Sequence, residues 1–366
     1  MKYFFQFLLF CLFSFSALAQ PKTGLNRTWV FMVGVLEWAD ANEFASFEKK
    51  ARVDAKIHQF FQKSGLPDHQ IMYLKDKQAS TAAVKDAFIP FLQQAQKGDM
   101  LFFYYCGHGY KNGKDKVCFA NYKGADWSVE EIVKTVNQHF AGNTAFFTAD
   151  CCNSGGLADE VRKYPTKNFM ALNSVVPTDV STGNWTFSNA LLYALQGENF
   201  VDTDNNQQIT LGELSNYIDE EMAIVEGQKA AYYIPKSMNA WAITTRVSPK
   251  KNKRIGERVS VNYDGQDYLG FIIDSGKDNN YNVRFYSYTN NETDWVAASR
   301  LKSYSSPKNF PIGASVNVYY EDDKKWYPAK VVKKFSSLHF VHYDDYGSEW
   351  DAWVSPDNIK KANSSK

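Results

Sequence analysis

Two stretches carry residue types that could do covalent chemistry. Leu101–Gly109 ends with His108 between two glycines, and Ala145–Gly156 holds Cys151 and Cys152 side by side. A thiol paired with an imidazole makes a nucleophile and its proton partner. The thiolate is the reactive form, and at an ordinary pKa near ~8.5 only a few per cent of a thiol is ionised at neutral pH. A nearby imidazole, backbone N–H groups and the start of a following helix each favour the thiolate. Each reactive cluster follows a short apolar run rich in aromatics and stopped by small residues, which predicts two fully buried strands. The polar residues then fall just past the strands' carboxyl ends, the edge where open α/β sheets bind ligands.

The two motifs, Cys106-Gly107-His108-Gly109 and Asp150-Cys151-Cys152-Asn153-Ser154-Gly155, resemble those of the caspase-like cysteine peptidases. That group includes metacaspases, paracaspases and, more distantly, legumain and the gingipains. The second motif is similar to the metacaspase form, with Asn153 where a His often stands. The resemblance implies that Cys152 attacks a scissile carbonyl while His108 protonates the leaving amine. It also implies an oxyanion hole from the backbone N–H groups of Gly109 and Cys152, a type of donor worth about 3 kcal/mol each. Taken alone, His108 reads as a core histidine and Cys152 as an inert buried thiol; the pairing argues otherwise. Cys151, by strand alternation, points the other way and belongs to the core.

Asp150 lies two residues before Cys152 and so projects to the same side of the strand end. The resemblance implies that Asp150 and Asp54, in Arg52-Val53-Asp54-Ala55, form an acidic pocket for a substrate Arg or Lys. Glu48 stands where caspases place an Arg for acidic substrates. Against this, Asp54 could simply pair with Arg52. Basic residues at Arg162, Lys163 and Lys167, soon after the nucleophile, suggest a connection open to self-cleavage.

The elements that must position these groups alternate. Strands are expected at Trp29–Val35, Ile71–Leu74, the two reactive runs, Asn168–Val175 and Ala240–Thr245. Between them, helices are expected over Asn42–Gly65, after Ser80-Thr81, over Ser128–Phe140 and over Phe187–Leu195. Such alternation predicts a parallel sheet covered on both faces. The resemblance spans residues 25–246 and implies an α/β domain with a six-stranded, mostly parallel, caspase-like sheet.

A basic linker, residues 247–254, leads to an internal repeat. Residues 255–303 and 312–361 share alternating apolar positions broken by Gly, Asn and Asp, which predicts two small antiparallel barrels. The second, with Trp326-Tyr-Pro-Ala and Tyr343-Asp-Asp-Tyr346, looks like a Tudor or Agenet module of the SH3-like class. Tyr320, Trp326, Tyr343, Tyr346 and Trp353 could line a cage for a cation, or could be the core and rim of a very small barrel. Over residues 254–361 there are 14 Lys and Arg against 15 Asp and Glu, which argues against nucleic acid. The barrels' ligand is unknown, and protein or envelope-polymer targeting is the expected role.

Asp202, Asp204, Asn206, the Gln208 carbonyl and Glu213 follow the ligand order of an EF-hand loop. Gln207 occupies the sixth position, where that turn wants Gly. The stretch therefore reads either as a calcium site or as an Asp/Asn-rich turn capping the next helix. The expected chemistry itself requires no cofactor.

Residues 1–19 carry Lys2, a short apolar core and Ser16-Ala-Leu-Ala19, the pattern of a cleavable signal peptide. The apolar core is short for a bilayer span. A secreted or periplasmic protein without a membrane span is expected. The formal net charge of +1 gives no basic excess to draw nucleic acid. Two functions from different classes follow. One is an exported cysteine endopeptidase cutting protein or peptide substrates after Arg or Lys. The other is a non-catalytic, caspase-fold scaffold acting through its barrels.

Overall fold

A set of apolar runs separated by helices can hide both faces only as a parallel sheet with helices on either side. The computed structural model describes residues 27–50, 52–263, 265–286, 292–304, 310–320, 323–335, 338–354 and 358–362. The expected leader, residues 1–19, lies outside the described residues. The chain runs β1 (Thr28–Gly34), α1 (Val53–Lys63), β2 (Ile71–Lys75), α2 (Thr81–Leu92), β3 (Met100–Cys106), then a small sheet of β4 (Gly109–Lys111), β5 (Val117–Phe119) and β6 (Trp127–Ser128). It continues with α3 (Val129–His139), β7 (Thr144–Asp150), α4 (Gly156–Arg162), β8 (Asn168–Asn173), α5 (Thr186–Gln196), β9 (Ile209–Thr210), α6 (Leu211–Val225), β10 (Ala231–Tyr233) and β11 (Ala242–Thr244).

The main sheet has the order β10-β8-β7-β3-β1-β2, parallel except for β10. This is the expected six-stranded α/β architecture. Every residue of β1 and β3 is buried, as a central strand covered on both faces requires. β3 and β7 run in step from Met100 opposite Thr144 to Cys106 opposite Asp150. The two reactive loops therefore leave the sheet at the same level. Ser80 and Ser128 cap α2 and α3 through the N–H groups of Ala83 and Glu131.

Two expected elements differ. The helix read from Asn42 begins only at Val53. Phe44 and Phe47, taken as part of its apolar face, instead pack in a loop against Trp38 and His108. The expected last strand shrinks to Ala242–Thr244 and pairs with β9 outside the main sheet. The sixth place goes to β10, too short to announce itself by periodicity.

The repeat is structural. Strands β12 (Arg258–Tyr263), β13 (Gln266–Ser275), β14 (Asn280–Phe285), β15 (Thr293–Ala297) and β16 (Leu301–Ser303) form one antiparallel sheet of order β15-β14-β13-β12-β16. Strands β17 (Ser315–Tyr320), β18 (Lys325–Phe335), β19 (Leu338–Tyr343), β20 (Ala352–Val354) and β21 (Ile359–Lys361) repeat that order. Both copies shift register at the same place, between Ile272 and Asp274 and between Val331 and Lys333.

The first barrel has no core of its own. Phe271, Val283 and Phe285 belong to one buried cluster with Phe200, Tyr217 and the face of the main sheet that α1, α5 and α6 cover. The second barrel keeps a separate small core around Val316, Val331 and Val341. At the first junction a buried ion cluster joins α6 to the barrel. Arg258 and Arg284 each donate from Nη2 to a different oxygen of Glu221, at 3.1 and 2.8 Å, and the Tyr286 hydroxyl donates to Glu221 at 2.9 Å. Among the described residues, no helix is long and apolar enough to cross a membrane.

Removing one member of a buried ion cluster leaves the others uncompensated. Glu221→Leu should lower unfolding free energy by about 3–5 kcal/mol, read from denaturant melts. Adding Arg284→Met should recover part of that loss. Equal stability of Glu221→Leu and the parent chain would contradict this account of the junction.

Candidate active site

β7 delivers Cys152 two residues beyond its last residue, and the next residue turns the chain sharply. Asn153 adopts φ +56°, the left-handed region that Asn tolerates better than most side chains. Its N–H donates to the Asp179 carbonyl at 2.9 Å and its Nδ2 to the Pro177 carbonyl at 2.8 Å. The buried Ser154 hydroxyl accepts from Val175 N–H at 3.2 Å. These bonds tie the turn after Cys152 to the segment after β8. Cys151 is buried in the core on the other side. α4 starts at Gly156, four residues beyond Cys152. Residues 156–167, expected as a connection open to cleavage, hold this packed helix, with Leu157 and Val161 buried and Arg162 stacked over Tyr233.

β3 delivers His108 in the same way. Gly107 adopts φ +147°, and a Cβ there would lie 2.8 Å from the Val35 carbonyl oxygen. At Gly109 the constraint is tighter, because a Cβ would stand 1.9 Å from the Cys152 carbonyl oxygen. The two reactive loops thus pack backbone against backbone. The His108 ring is enclosed by Trp38 and Phe47, each 4.5 Å away between centroids, and stacks on Phe44 at 5.3 Å. Its Nε2 lies 2.8 Å from the Ala45 carbonyl. A carbonyl can only accept, so Nε2 carries the hydrogen and Nδ1 is the lone-pair nitrogen of the neutral ring. Burial lowers the imidazole's pKa, with the Ala45 bond opposing, so the ring is neutral at neutral pH.

No hydrogen bond joins His108 to Cys152 among the described residues. The Cys152 sulfur instead accepts from Ser181 N–H at 3.2 Å. The Cys151 and Asn153 N–H groups are taken by Ser174 Oγ and the Asp179 carbonyl. Cys152 N–H between them has no acceptor among the described residues, which suits a donor kept for an oxyanion.

The two candidate specificity residues differ in circumstance. Asp150 is buried at the end of β7, where its carboxylate accepts from Ser188 Oγ at 2.6 Å and Ser188 N–H at 3.2 Å. Burial pushes its pKa up to about 7 against those bonds. Asp54 is fully buried and already engaged: Arg52 donates to it from Nη2 at 2.7 Å and Tyr73 Oη at 2.6 Å. Arg52 also bridges to Asp76 at 2.7 Å. A cleft of about 880 Å³ opens at the sheet edge, lined by Cys152, Asp150, Ser181, Asn189 and Glu226 among others, but not by Asp54.

The EF-hand-like loop draws ligand oxygens of Asp202, Asp204 and Glu213 to within 4.8 Å of one another. Gln207 takes φ +67°, the conformation usually left to Gly, so the missing glycine has not changed the turn. Glu213 also caps α6, accepting from Thr210 N–H at 3.0 Å while Thr210 Oγ1 accepts from Glu213 N–H at 3.2 Å. The expected capping of α6 is therefore made in this loop, by Thr210 and Glu213. Buried Asp202 and a set of hard oxygen donors fit calcium.

In the second barrel, Tyr320, Tyr327, Tyr343 and Tyr346 meet nearly at right angles with centroids 5.8–6.4 Å apart, and Trp350 adjoins Tyr346. The expected aromatic set is thus revised. Trp326 sits apart under the Lys360 ammonium, and Trp353 packs on Phe340 at the α6 side. Sequence reasoning missed Ala45, Ser181 and Ser188, since a backbone carbonyl, a backbone N–H and a lone serine leave no spacing signal.

A family model described as the caspase domain matches residues 42–253. No curated protein shows significant sequence similarity to the chain. Among solved structures, a crystal structure of a Geobacter sulfurreducens protein is 12% identical, covering 60% of this chain and 99% of its own, with a TM-score of 0.45. A likeness at that score carries no argument. The family match spans more than half of the chain and contains both reactive loops, and on that ground the chain belongs to the caspase-domain family of peptidases.

Proposed function

We propose that the protein is an exported cysteine endopeptidase with Cys152 as nucleophile and His108 as its proton partner. The observation that carries this reading is the contact between the two reactive loops, with Gly109 pressed on the Cys152 carbonyl. Substrate entering the cleft displaces the Ser181 contact, and the thiol proton passes to His108 Nδ1. The sulfur adds to the scissile carbonyl, and the oxyanion is held by the N–H groups of Cys152 and Gly109. His108 then gives its proton to the leaving amine, and water releases the acyl group from sulfur. Ala45 positions the ring by holding Nε2–H. Export rests on the leader at residues 1–19. The scaffold alternative has one observation in its favour, the Cys152 sulfur turned to Ser181 rather than to His108.

A reporter ending in Arg separates the two readings. Hydrolysis by the parent chain should vanish in Cys152→Ala and fall by at least about 10³-fold in His108→Ala. Activity surviving Cys152→Ala would refute the dyad.

Selectivity for Arg or Lys is assigned to Asp150, since Asp54 is neutralised by Arg52. With an Asp150 pKa of about 7, KM for a basic reporter should fall as pH rises through neutrality, and Asp150→Asn should abolish that dependence. The sign for stability is opposite. A carboxyl whose folded pKa is raised binds its proton more tightly when folded, so stability is lost as pH rises from about 4 to about 7. Asp150→Asn should therefore stabilise the protein by on the order of 1–3 kcal/mol more at pH 8 than at pH 4. Equal shifts at both pH values, or preference for an Asp reporter, would overturn the assignment.

Calcium is proposed for the Asp202–Glu213 loop, with Asp202, Asp204, Asn206, the Gln208 carbonyl and Glu213 as ligands. Calorimetric titration should give binding that Asp202→Asn weakens by at least about tenfold, with a rise in Tm. No heat and no shift in Tm would limit the loop to capping α6. The ligand of the second barrel's aromatic cluster is left unassigned.

A further inference from the structure

The cleft at Cys152 does not end within the peptidase domain. Its lining includes Arg284, Phe285 and Tyr286 of the first barrel. These residues are held there firmly. Arg284 lies over the rings of Tyr193 and Tyr286 at 5.1 and 5.6 Å, and the Glu221 carboxylate fixes both Arg284 and the Tyr286 hydroxyl. Phe271 packs on Phe200 and Tyr217 at 5.4 and 6.1 Å, so the barrel cannot swing away without opening a shared core. A module tethered only for targeting would need neither the common core nor a buried ion cluster whose Glu221 and Arg284 line the cleft that holds Cys152.

We propose that the first barrel is part of the peptidase's substrate-binding surface, with Tyr286 as a subsite for residues on the acyl side of the scissile bond. This deepens the peptidase reading and rests on it. Asp150 takes the side chain of the residue whose carbonyl Cys152 attacks. The same cleft is lined by Asp150, Thr182, Trp185, Glu226 and Tyr286. In the proposed binding mode, an extended polypeptide continuing toward its N-terminus runs from Asp150 along this lining to Tyr286. The Tyr286 ring is half-buried, held by its hydroxyl and part of the cleft's lining, and in the proposed mode it packs against an apolar or aromatic side chain. The substrate class is accordingly an extended polypeptide with a basic residue at the cut and an apolar residue several positions upstream.

The test uses the full chain and a matched reporter series. One reporter is a blocked single Arg; the others extend it by up to about six residues, ~20 Å of extended chain, with one Phe moved through an Ala background. The long reporters should be preferred when Phe reaches one upstream position. In Tyr286→Ala the ratio of kcat/KM, best long reporter over short, should fall about fivefold, and in Tyr286→Phe it should stay within about twofold of the parent. An unchanged ratio in Tyr286→Ala, or an equal fall in both variants, overturns the inference while leaving the peptidase reading intact. A parent chain inert on every reporter sinks the peptidase reading, and this inference with it. If Tyr286→Ala does not fold, a Cys152-directed Arg chloromethyl ketone with a benzophenone at its upstream end gives the answer on the parent chain. Cross-links mapped to the barrel residues around Tyr286 support the proposal, and cross-links found only on the peptidase domain overturn it.

Discussion

One close approach governs the sheet edge that carries Cys152 and His108. The Cys152 carbonyl oxygen lies where any side chain at position 109 would have to begin. Glycine is the sole residue that lets the two reactive loops press together, and the sheet makes the meeting possible by ending β3 and β7 at the same level. Everything else at the site adjusts around that contact. Asn153 turns the chain after the thiol, and Trp38, Phe44 and Phe47 wall in the imidazole. The Ala45 carbonyl then selects which ring nitrogen keeps its hydrogen.

Charge is handled in contrasting ways a short distance apart. Burial first, then Asp54 and Asp150, raise the Cys106 thiol pKa, so both carboxylates act on this strand end. Asp54 is matched by Arg52 within a network that includes Tyr73 and Asp76, so its partners are supplied internally. Asp150 has only serine donors, and its burial leaves it near its midpoint at neutral pH. A carboxyl in that condition answers strongly to an incoming cation, because the cation completes what the fold leaves out.

The sheet and the motifs were legible because they are local. An apolar run stopped by Gly-His-Gly or by Asp-Cys-Cys-Asn declares a strand and its polar end within about ten residues. The capping serines at 80 and 128 were legible for the same reason. What stayed hidden was decided at a distance. Phe44 and Phe47 have helical spacing, yet the imidazole some sixty residues onward holds them in a loop. Whether Asp54 would serve substrate or Arg52 turned on packing, not spacing. The aromatic set of the second barrel required knowing which rings Tyr327, on β18, and Trp350, in the short helical turn before β20, would meet, and that is settled between strands rather than along one.

The family match stops at residue 253, but the hydrophobic interior does not. Phe200 and Tyr217, on one side of that boundary, have Phe271 as their neighbour on the other. A chain trimmed at the boundary would bare these rings and strand Glu221 without either guanidinium. The stretch that the family model matches and the stretch that closes the hydrophobic interior are here of different lengths.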